Sequence, residues 1–154
     1  MARAYGSAGP NVSVSAAVDM HSLQTTSGMV AEIDQFNANQ VTATSVGNLR
    51  ITFKRFSGAY SIGSGGTAGT VNPHVFGDAA ATCTTRYDDT TQTTSGTSKT
   101  LLADAMNVIN GYQWLPPPED RWSFTISQAF VASLDQAPGS AETFSNSVQF
   151  RETV

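Results

Sequence analysis

The side chains best suited to nucleophilic or metal chemistry in this sequence are one cysteine and two histidines. They are Cys83, His21 and His74, and no short paired spacing links them. A cysteine nucleophile needs a histidine beside it, and a zinc site needs clustered ligands. In the segment around Cys83, Ala-Thr-Cys-Thr-Thr, apolar and polar residues alternate as they do in a strand. We therefore expect Cys83 to be a small core residue, and we predict no metal site and no cofactor.

A glycine-rich segment has the spacing of a dinucleotide-binding turn. Gly63, Gly65 and Ala68 fit the pattern G-x-G-x-x-A. Such a turn must open a helix, whose amino end holds the pyrophosphate. Here Pro73 follows shortly afterwards and no helical repeat of apolar residues begins. The segment is therefore predicted to be a surface loop.

The remaining candidates for catalysis are carboxylates and hydroxyl groups. Glu119 and Asp120 are adjacent in the chain, so they point apart in an extended segment, whereas acid–base pairs must face each other across a bond. Serine is abundant, but no G-x-S-x-G segment accompanies either histidine. The sequence therefore predicts that the protein is not an enzyme.

Three aromatic residues flank the proline run 116–118. Tyr112, Trp114 and Trp122 could form a shelf that binds sugar rings or a proline-rich peptide. The alternative is that they fold over the prolines and seal the edge of the core.

The surface composition is the most informative property of the chain. Only 13% of its 154 residues are charged, against about 25% in ordinary soluble domains. The chain holds 19 Thr and 17 Ser, but its only lysines are Lys54 and Lys99. Protein interfaces are depleted in Lys and Glu, because these groups are costly to desolvate. This predicts a subunit covered by its neighbours; the alternative is a Ser/Thr-rich monomer like many secreted β domains.

The charge balance excludes two classes of partner. The formal net charge is −4, which argues against a nucleic-acid groove and against an anionic membrane surface. No apolar run approaches the length of a membrane-spanning helix. We expect neither nucleic acid nor membrane as a partner.

Several segments lack the pattern of a regular element. Residues 1–10 are predicted to be a flexible N-terminal arm, so that their removal leaves the melting of residues 11–154 nearly unchanged. Residues 63–73 and 88–100 are predicted to be long polar loops, because the stretch from Asp88 to Thr100 contains no apolar side chain. A single helix is predicted at about 99–110, with Leu101, Leu102, Ala105, Met106 and Ile109 gathered on one face and Gly111 as its C-cap.

Alternating apolar residues predict strands elsewhere. The clearest are 49–56, with Leu49, Ile51 and Phe53 on one side, and 143–152, whose inward side carries Phe144, Val148 and Phe150. Residues 121–134 form a further long strand, expected to pair antiparallel with 143–152. The predicted fold class is mainly β (α+β): a single-domain β sandwich or barrel, 11–154, with one packed helix.

The opening residues, Met1-Ala-Arg-Ala-Tyr-Gly-Ser7, resemble the start of some tail tube proteins of tailed bacteriophages. The Thr/Ser-rich strands, polar arms, single cysteine and low charge are similar to those of small phage virion proteins, including capsid decoration proteins. This resemblance implies a β sandwich with loops that reach neighbouring subunits. It implies no catalytic residues.

Together these observations predict a virion structural protein, assembled in the host cytoplasm, that self-associates and docks on a capsid shell as a decoration protein. Its partners would be other copies of itself and a major capsid or tail protein. The expected contacts lie in the arm and the second polar loop: Arg3, Tyr5, Thr90, Thr91, Thr93 and Thr94. The alternatives are a phage tail tube subunit and a carbohydrate- or peptide-binding β module. The tail tube is the less favoured of the two virion roles, because a tube needs long strands and the first half of the chain shows mostly short ones.

Overall fold

The chain folds as two antiparallel β-sheets packed face to face. The computed structural model describes residues 2–26, 28–42 and 47–153. One sheet has seven strands: β1 (Arg3–Ala8), β2 (Val12–Val14), β4 (Val30–Thr42), β7 (Val71–Pro73), β10 (Tyr112–Trp114), β11 (Ser123–Phe124) and β13 (Glu142–Thr153). The other has six: β3 (Val18–Gln24), β5 (Asn48–Ser61), β6 (Thr67–Ala68), β8 (Thr84–Asp89), β9 (Thr94–Asn107) and β12 (Gln128–Leu134). A short 3-10 helix covers Pro118–Asp120.

The order of the strands determines which of them lie at the edges. The seven-stranded sheet runs β10-β4-β13-β1-β7, with β2 also paired to β13 and β11 to β4. The six-stranded sheet runs β6-β8-β3-β12-β5-β9. This confirms the predicted mainly-β fold and its sandwich form; the barrel alternative is wrong, because the two sheets stay separate.

The apolar core lies between the sheets where the sequence alternates most regularly. Every second residue of β13 is buried, and its inward side carries the predicted Phe144, Val148 and Phe150. Leu49, Ile51 and Phe53 are the buried side of β5, also as predicted. Alternation identifies these strands because successive side chains of a strand point to opposite faces.

The expected pairing of the last two long strands is wrong. Strand β12 pairs with β3 and β5, whereas β13 pairs with β4, β1 and β2 in the opposite sheet. The two strands therefore lie in opposite sheets instead of sharing hydrogen bonds. Two strands that are close in sequence can lie in opposite sheets of a sandwich or side by side in one sheet. The sequence does not distinguish these arrangements, because each of them buries the apolar side of both strands.

The predicted helix at 99–110 is also wrong. Residues up to Asn107 belong to β9, which pairs with β5 along its length, and the described helical content is the 3-10 turn alone. Leu102 and Met106 are four residues apart, a spacing that places two side chains on one face of a strand as well as of a helix. Gly111 does adopt a positive φ of 71°, but it does so in the turn between β9 and β10.

The segment predicted as a flexible arm lies inside a sheet. Arg3–Ala8 is strand β1, paired with β13 on one side and β7 on the other. Tyr5 and Ser7 are buried on its inner side. Small and polar residues, such as Ser7 and Gly6, occupy most positions of this strand. Its sequence therefore shows no clear alternation of apolar and polar residues.

The two long polar loops are shorter than predicted. Residues 63–73 contain the short strands β6 and β7. Within 88–100, strand β8 ends at Asp89 and β9 begins at Thr94, so only residues 90–93 connect them. The first seven residues of β9, 94–100, are exposed. A strand at a sheet edge needs no apolar residue there, because its backbone pairing with β5 supplies the order.

Candidate functional site

The predicted contact residues fall into two groups in the structure. Arg3, Thr90, Thr91 and Thr94 are exposed, as a contact role requires. Tyr5 is 1% exposed and Thr93 is 7% exposed, so neither side chain is on the surface of the chain.

Both buried side chains have partners within the chain. The Tyr5 hydroxyl donates to the carbonyl of Ala79 at 3.0 Å, and its ring stacks on Phe150. The Thr93 hydroxyl oxygen accepts from the amide of Gly63 at 3.0 Å, while the Thr93 amide donates to the Asp19 carboxylate at 2.6 Å. Both side chains therefore stabilise the chain itself, and neither is on the surface that a partner would meet.

The three aromatic residues of the predicted shelf come together, but they pack on one another. Trp114 and Trp122 stack with ring centroids 4.0 Å apart and planes within 17°. Both rings also contact Phe53, as does Tyr112. All three are partly buried against the core. This arrangement matches the interpretation in which they seal the edge of the core.

Cys83 is buried, and its surroundings disfavour the thiolate form. Burial, together with the neighbouring Glu152 carboxylate, raises the pKa of the Cys83 thiol well above its usual range. Glu152 accepts from the amides of Thr82 and Cys83, at 2.9 and 2.7 Å. A thiol that stays protonated is a poor nucleophile and a poor metal ligand. The expectation of a core cysteine is confirmed.

The glycine-rich segment lies against strand β8 and has a packing role. The amide of Gly66 donates to the Asp89 carboxylate at 3.0 Å, and Ser64 forms an isolated bridge with Thr91. A Cβ atom at Gly66 would collide with the backbone carbonyl of Tyr87. Gly66 is therefore needed for the close approach of this segment to β8.

A cluster of polar side chains joins the two sheets in the interior, and sequence reasoning missed it. His21 of β3 is fully buried, with its Nδ1 2.8 Å from the Asn146 Oδ1 of β13. The Asn146 Nδ2 donates to the Asp88 carboxylate of β8 at 3.2 Å. Because the Asn146 oxygen can only accept, the His21 proton must lie on Nδ1. The Nε2 atom has no hydrogen-bond partner among the described residues.

Burial shifts the protonation of both ends of this cluster. Desolvation lowers the pKa of His21 to about 4, so the ring is neutral in the folded chain at neutral pH. Desolvation likewise raises the pKa of Asp88 to about 7, with the nearby Asp89 adding to the shift. The Asp88 backbone has a positive φ of 53°. Histidine and aspartate are residue types that form acid–base relays. The His21 ring, however, has no exposed surface on which to meet a substrate.

Exposed apolar residues are a further feature that the sequence pattern did not indicate. The most exposed is Phe76, which lies beside the exposed Val75 in the turn that follows β7. The signal that could have identified a turn is the pair Gly77-Asp78 directly after them.

A metal-binding cluster and a membrane-spanning helix are both absent from the described part of the chain. Among residues 2–26, 28–42 and 47–153 no group of three or more His, Cys, Asp or Glu side chains could hold a metal ion. No helix in this part of the chain is long and apolar enough to cross a membrane. No protein-family model, no curated protein and no solved structure matches the sequence or the fold.

Proposed function

We propose that this protein is a non-enzymatic structural subunit of a virion, which self-associates and docks on a capsid shell as a decoration protein. The observation that carries the docking part of the proposal is the apolar tip, defined as Val75 and Phe76. Phe76 is fully exposed and Val75 is 62% exposed. Exposed aromatic residues of this kind act as anchors when they enter a pocket of a partner.

The backbone on both sides of the apolar tip is hydrogen-bonded. On its near side, the His74 amide donates to the carbonyl of Ala4 in β1 at 2.9 Å. On its far side, the Asp78 amide donates to the Val75 carbonyl at 3.2 Å, and Gly77 supplies a positive φ of 92°. A tip fixed in this way loses little conformational freedom on docking, which favours affinity.

Composition and resemblance support the virion context. A surface poor in Lys and Glu is suited to being covered by other subunits, and the first seven residues resemble those of phage tail tube proteins. The partners in this proposal are other copies of the chain and a major capsid protein.

The docking part is tested on particles purified from cells that produce this chain. We expect mass spectrometry to find the chain in stoichiometric amount in these particles, and a variant carrying Val75→Ser and Phe76→Ser to be lost from them with unchanged melting. Ile126→Ser is the matched control, since it removes an exposed apolar residue near the opposite edge of the same sheet. Retention of the double variant would contradict docking through the apolar tip.

The self-association part is tested separately by sedimentation velocity over a concentration series. We expect the average mass to rise with concentration. A chain that stays monomeric at its highest soluble concentration would contradict this part of the proposal.

A tail tube subunit is the second candidate, and one observation favours it. Four strands are long: β4 has 13 residues, β5 and β9 have 14 each, and β13 has 12. The short strands expected in the first half of the chain were the reason for placing the tube second, and that reason is removed. Location in the particle by electron microscopy distinguishes the two: decoration predicts density on the shell, and a tube predicts density along the tail.

A further inference from the structure

We propose that two copies of this chain pair antiparallel through the edge strand β9, with Lys99 of one copy opposite Asp104 of the other. This inference rests on the proposed function, since it names the surface by which the subunit self-associates. It would join two six-stranded sheets into one continuous sheet.

The first support is the unpaired edge itself. Strand β9 has 14 residues and lies at the end of the six-stranded sheet. Apart from a bridge between Asn107 and Gly111, it pairs with β5 alone within the described chain. Natural proteins usually shorten or block such edges, because a free row of amides and carbonyls is a template for another strand.

The second support is the low cost of covering this edge. The exposed first half of β9, 94–100, holds Thr, Ser, Gly and a single charged residue, Lys99. Ala103 and Ala105 are exposed in the second half. Hydroxyl and methyl groups are cheaper to desolvate than ammonium or carboxylate groups, and small side chains permit the close approach of another strand.

The third support is the charge pattern of β9, which fits a second copy of the same strand. Lys99 lies opposite Arg55 of β5 in the register, and directly opposed like charges are unfavourable. Asp104 lies opposite Ile51. Arg55 and Ile51 are four residues apart, so Lys99 and Asp104 share a face of the sheet. One strand therefore carries an exposed cation and an exposed carboxylate, whose Oδ2 also accepts from the Tyr112 hydroxyl at 3.1 Å.

The register follows from these positions. Leu101 is the extra residue of a β-bulge, because Phe53 and Lys54 pair with Leu102 and Thr100. Once the bulge is allowed for, Lys99 and Asp104 lie at equal distances on either side of Leu102. A two-fold axis at Leu102, perpendicular to the sheet, then brings each Lys99 opposite an Asp104 of the other copy. Such a contact is self-complementary, as a two-fold interface must be.

The same axis places Thr100 opposite Ala103 of the second copy, which allows a covalent test. Cross-strand Cβ atoms lie about 4.5–5.5 Å apart, close to disulfide geometry. We expect the full chain carrying Thr100→Cys and Ala103→Cys to form disulfide-linked dimers on mild oxidation. Each single variant should form far fewer, since its cysteine faces Ala103 or Thr100. Positions 100 and 103 of one strand are roughly 9 Å apart, too far for a bridge within the chain.

Charge reversal provides the second arm of the test, by sedimentation equilibrium. We expect Lys99→Glu and Asp104→Lys each to raise the dimer dissociation constant by about tenfold. The variant carrying both changes should return close to the wild-type value, because the opposite charges again face each other. Melting curves of each variant verify the fold.

The outcomes separate this inference from the proposed function. Cross-linking of the double-cysteine variant with rescue by the double charge reversal supports pairing through β9. A wild-type chain that self-associates without either result overturns this register and leaves the proposed function standing. A wild-type chain that never self-associates overturns the pairing and the self-association part of the proposed function together.

Discussion

At the scale of single residues, the most unusual feature is the polar cluster of His21, Asn146 and Asp88 between the sheets. The two titratable groups have pKa values shifted in opposite directions by the same burial. Each shift means that the folded chain favours the neutral form. The stability of the folded chain must therefore depend on pH through both groups.

Asp88→Asn is expected to remove one of these dependences. The pKa of Asp88 in the folded chain, about 7, is above the ordinary value of 3.8. Ionisation of Asp88 therefore lowers the free energy of unfolding as pH rises from about 4 through 7. Asparagine is neutral throughout and tolerates the positive φ of this position. The stability of the variant relative to the wild type should therefore increase from pH 5 to pH 8, as measured by urea unfolding.

The comparison with the wild type isolates Asp88. His21 loses stabilisation as pH falls from about 6.5 through 4, but it does so in both proteins. Asp120→Asn, in the exposed 3-10 helix, should give a curve parallel to that of the wild type. A parallel curve for Asp88→Asn would contradict the raised pKa.

At the scale of elements, β9 shows how tertiary pairing overrides a local pattern. Its apolar residues 101, 102, 105 and 106 fit a helical face, but Ile109, which would complete that face, is 54% exposed. Met106 is fully buried beside Leu49 of the paired strand β5. Backbone hydrogen bonds to β5 along the whole strand stabilise the extended form more than an isolated short helix is stabilised in water.

Two truncations distinguish the strand from the helix. Met106→Ala should lower the free energy of unfolding by about 2–5 kcal/mol, because it leaves a cavity in the core. Ile109→Ala should change it by less than about 0.5 kcal/mol, because the side chain is exposed. A helix with both residues on its buried face would make both changes costly. Urea unfolding of the two variants decides between these structures.

At the scale of the whole molecule, the interior is divided between an aromatic half and a polar half. Phe36, Phe53 and Phe130 contact one another where β4 faces β5 and β12. Near β1 and β8 the sheets are joined by hydrogen bonds instead: Ser7 contacts the hydroxyls of Thr85 and Tyr87. Strand β1 contributes Ser7 to these hydrogen bonds and Tyr5 to the apolar core.

Strand β1 is therefore expected to be essential for stability. Tyr5→Ala removes a fully packed ring and should cost about 3–5 kcal/mol, which lowers the melting temperature by about 10 °C for a chain of this size. Arg3→Ala, in the same strand but exposed, is the control and should change it little.

Deletion of residues 1–10 should lower the melting temperature at least as far as Tyr5→Ala does. This reverses the expectation for a flexible arm, whose loss would leave melting nearly unchanged. Circular dichroism on heating measures both changes, and unaltered melting after the deletion would contradict the role of β1 in the sheet.

The sequence by itself determined the fold class and the inward faces of β5 and β13. Leu49, Ile51 and Phe53, like Phe144, Val148 and Phe150, alternate with polar residues, and such a two-residue period can bury its apolar side only in a strand. It also determined that Cys83 is a core residue, because no histidine accompanies it and its segment alternates.

Only the tertiary structure decided the places of β1 and β9 and the composition of the buried polar cluster. The polar side chains of β1 and of residues 94–100 are hydrated equally well in a loop or a strand, so the choice depended on hydrogen bonds from β13 and β5. His21 and Asn146 are 125 residues apart in the chain. A contact at that separation leaves no local pattern, since it arises from the packing of one sheet on the other.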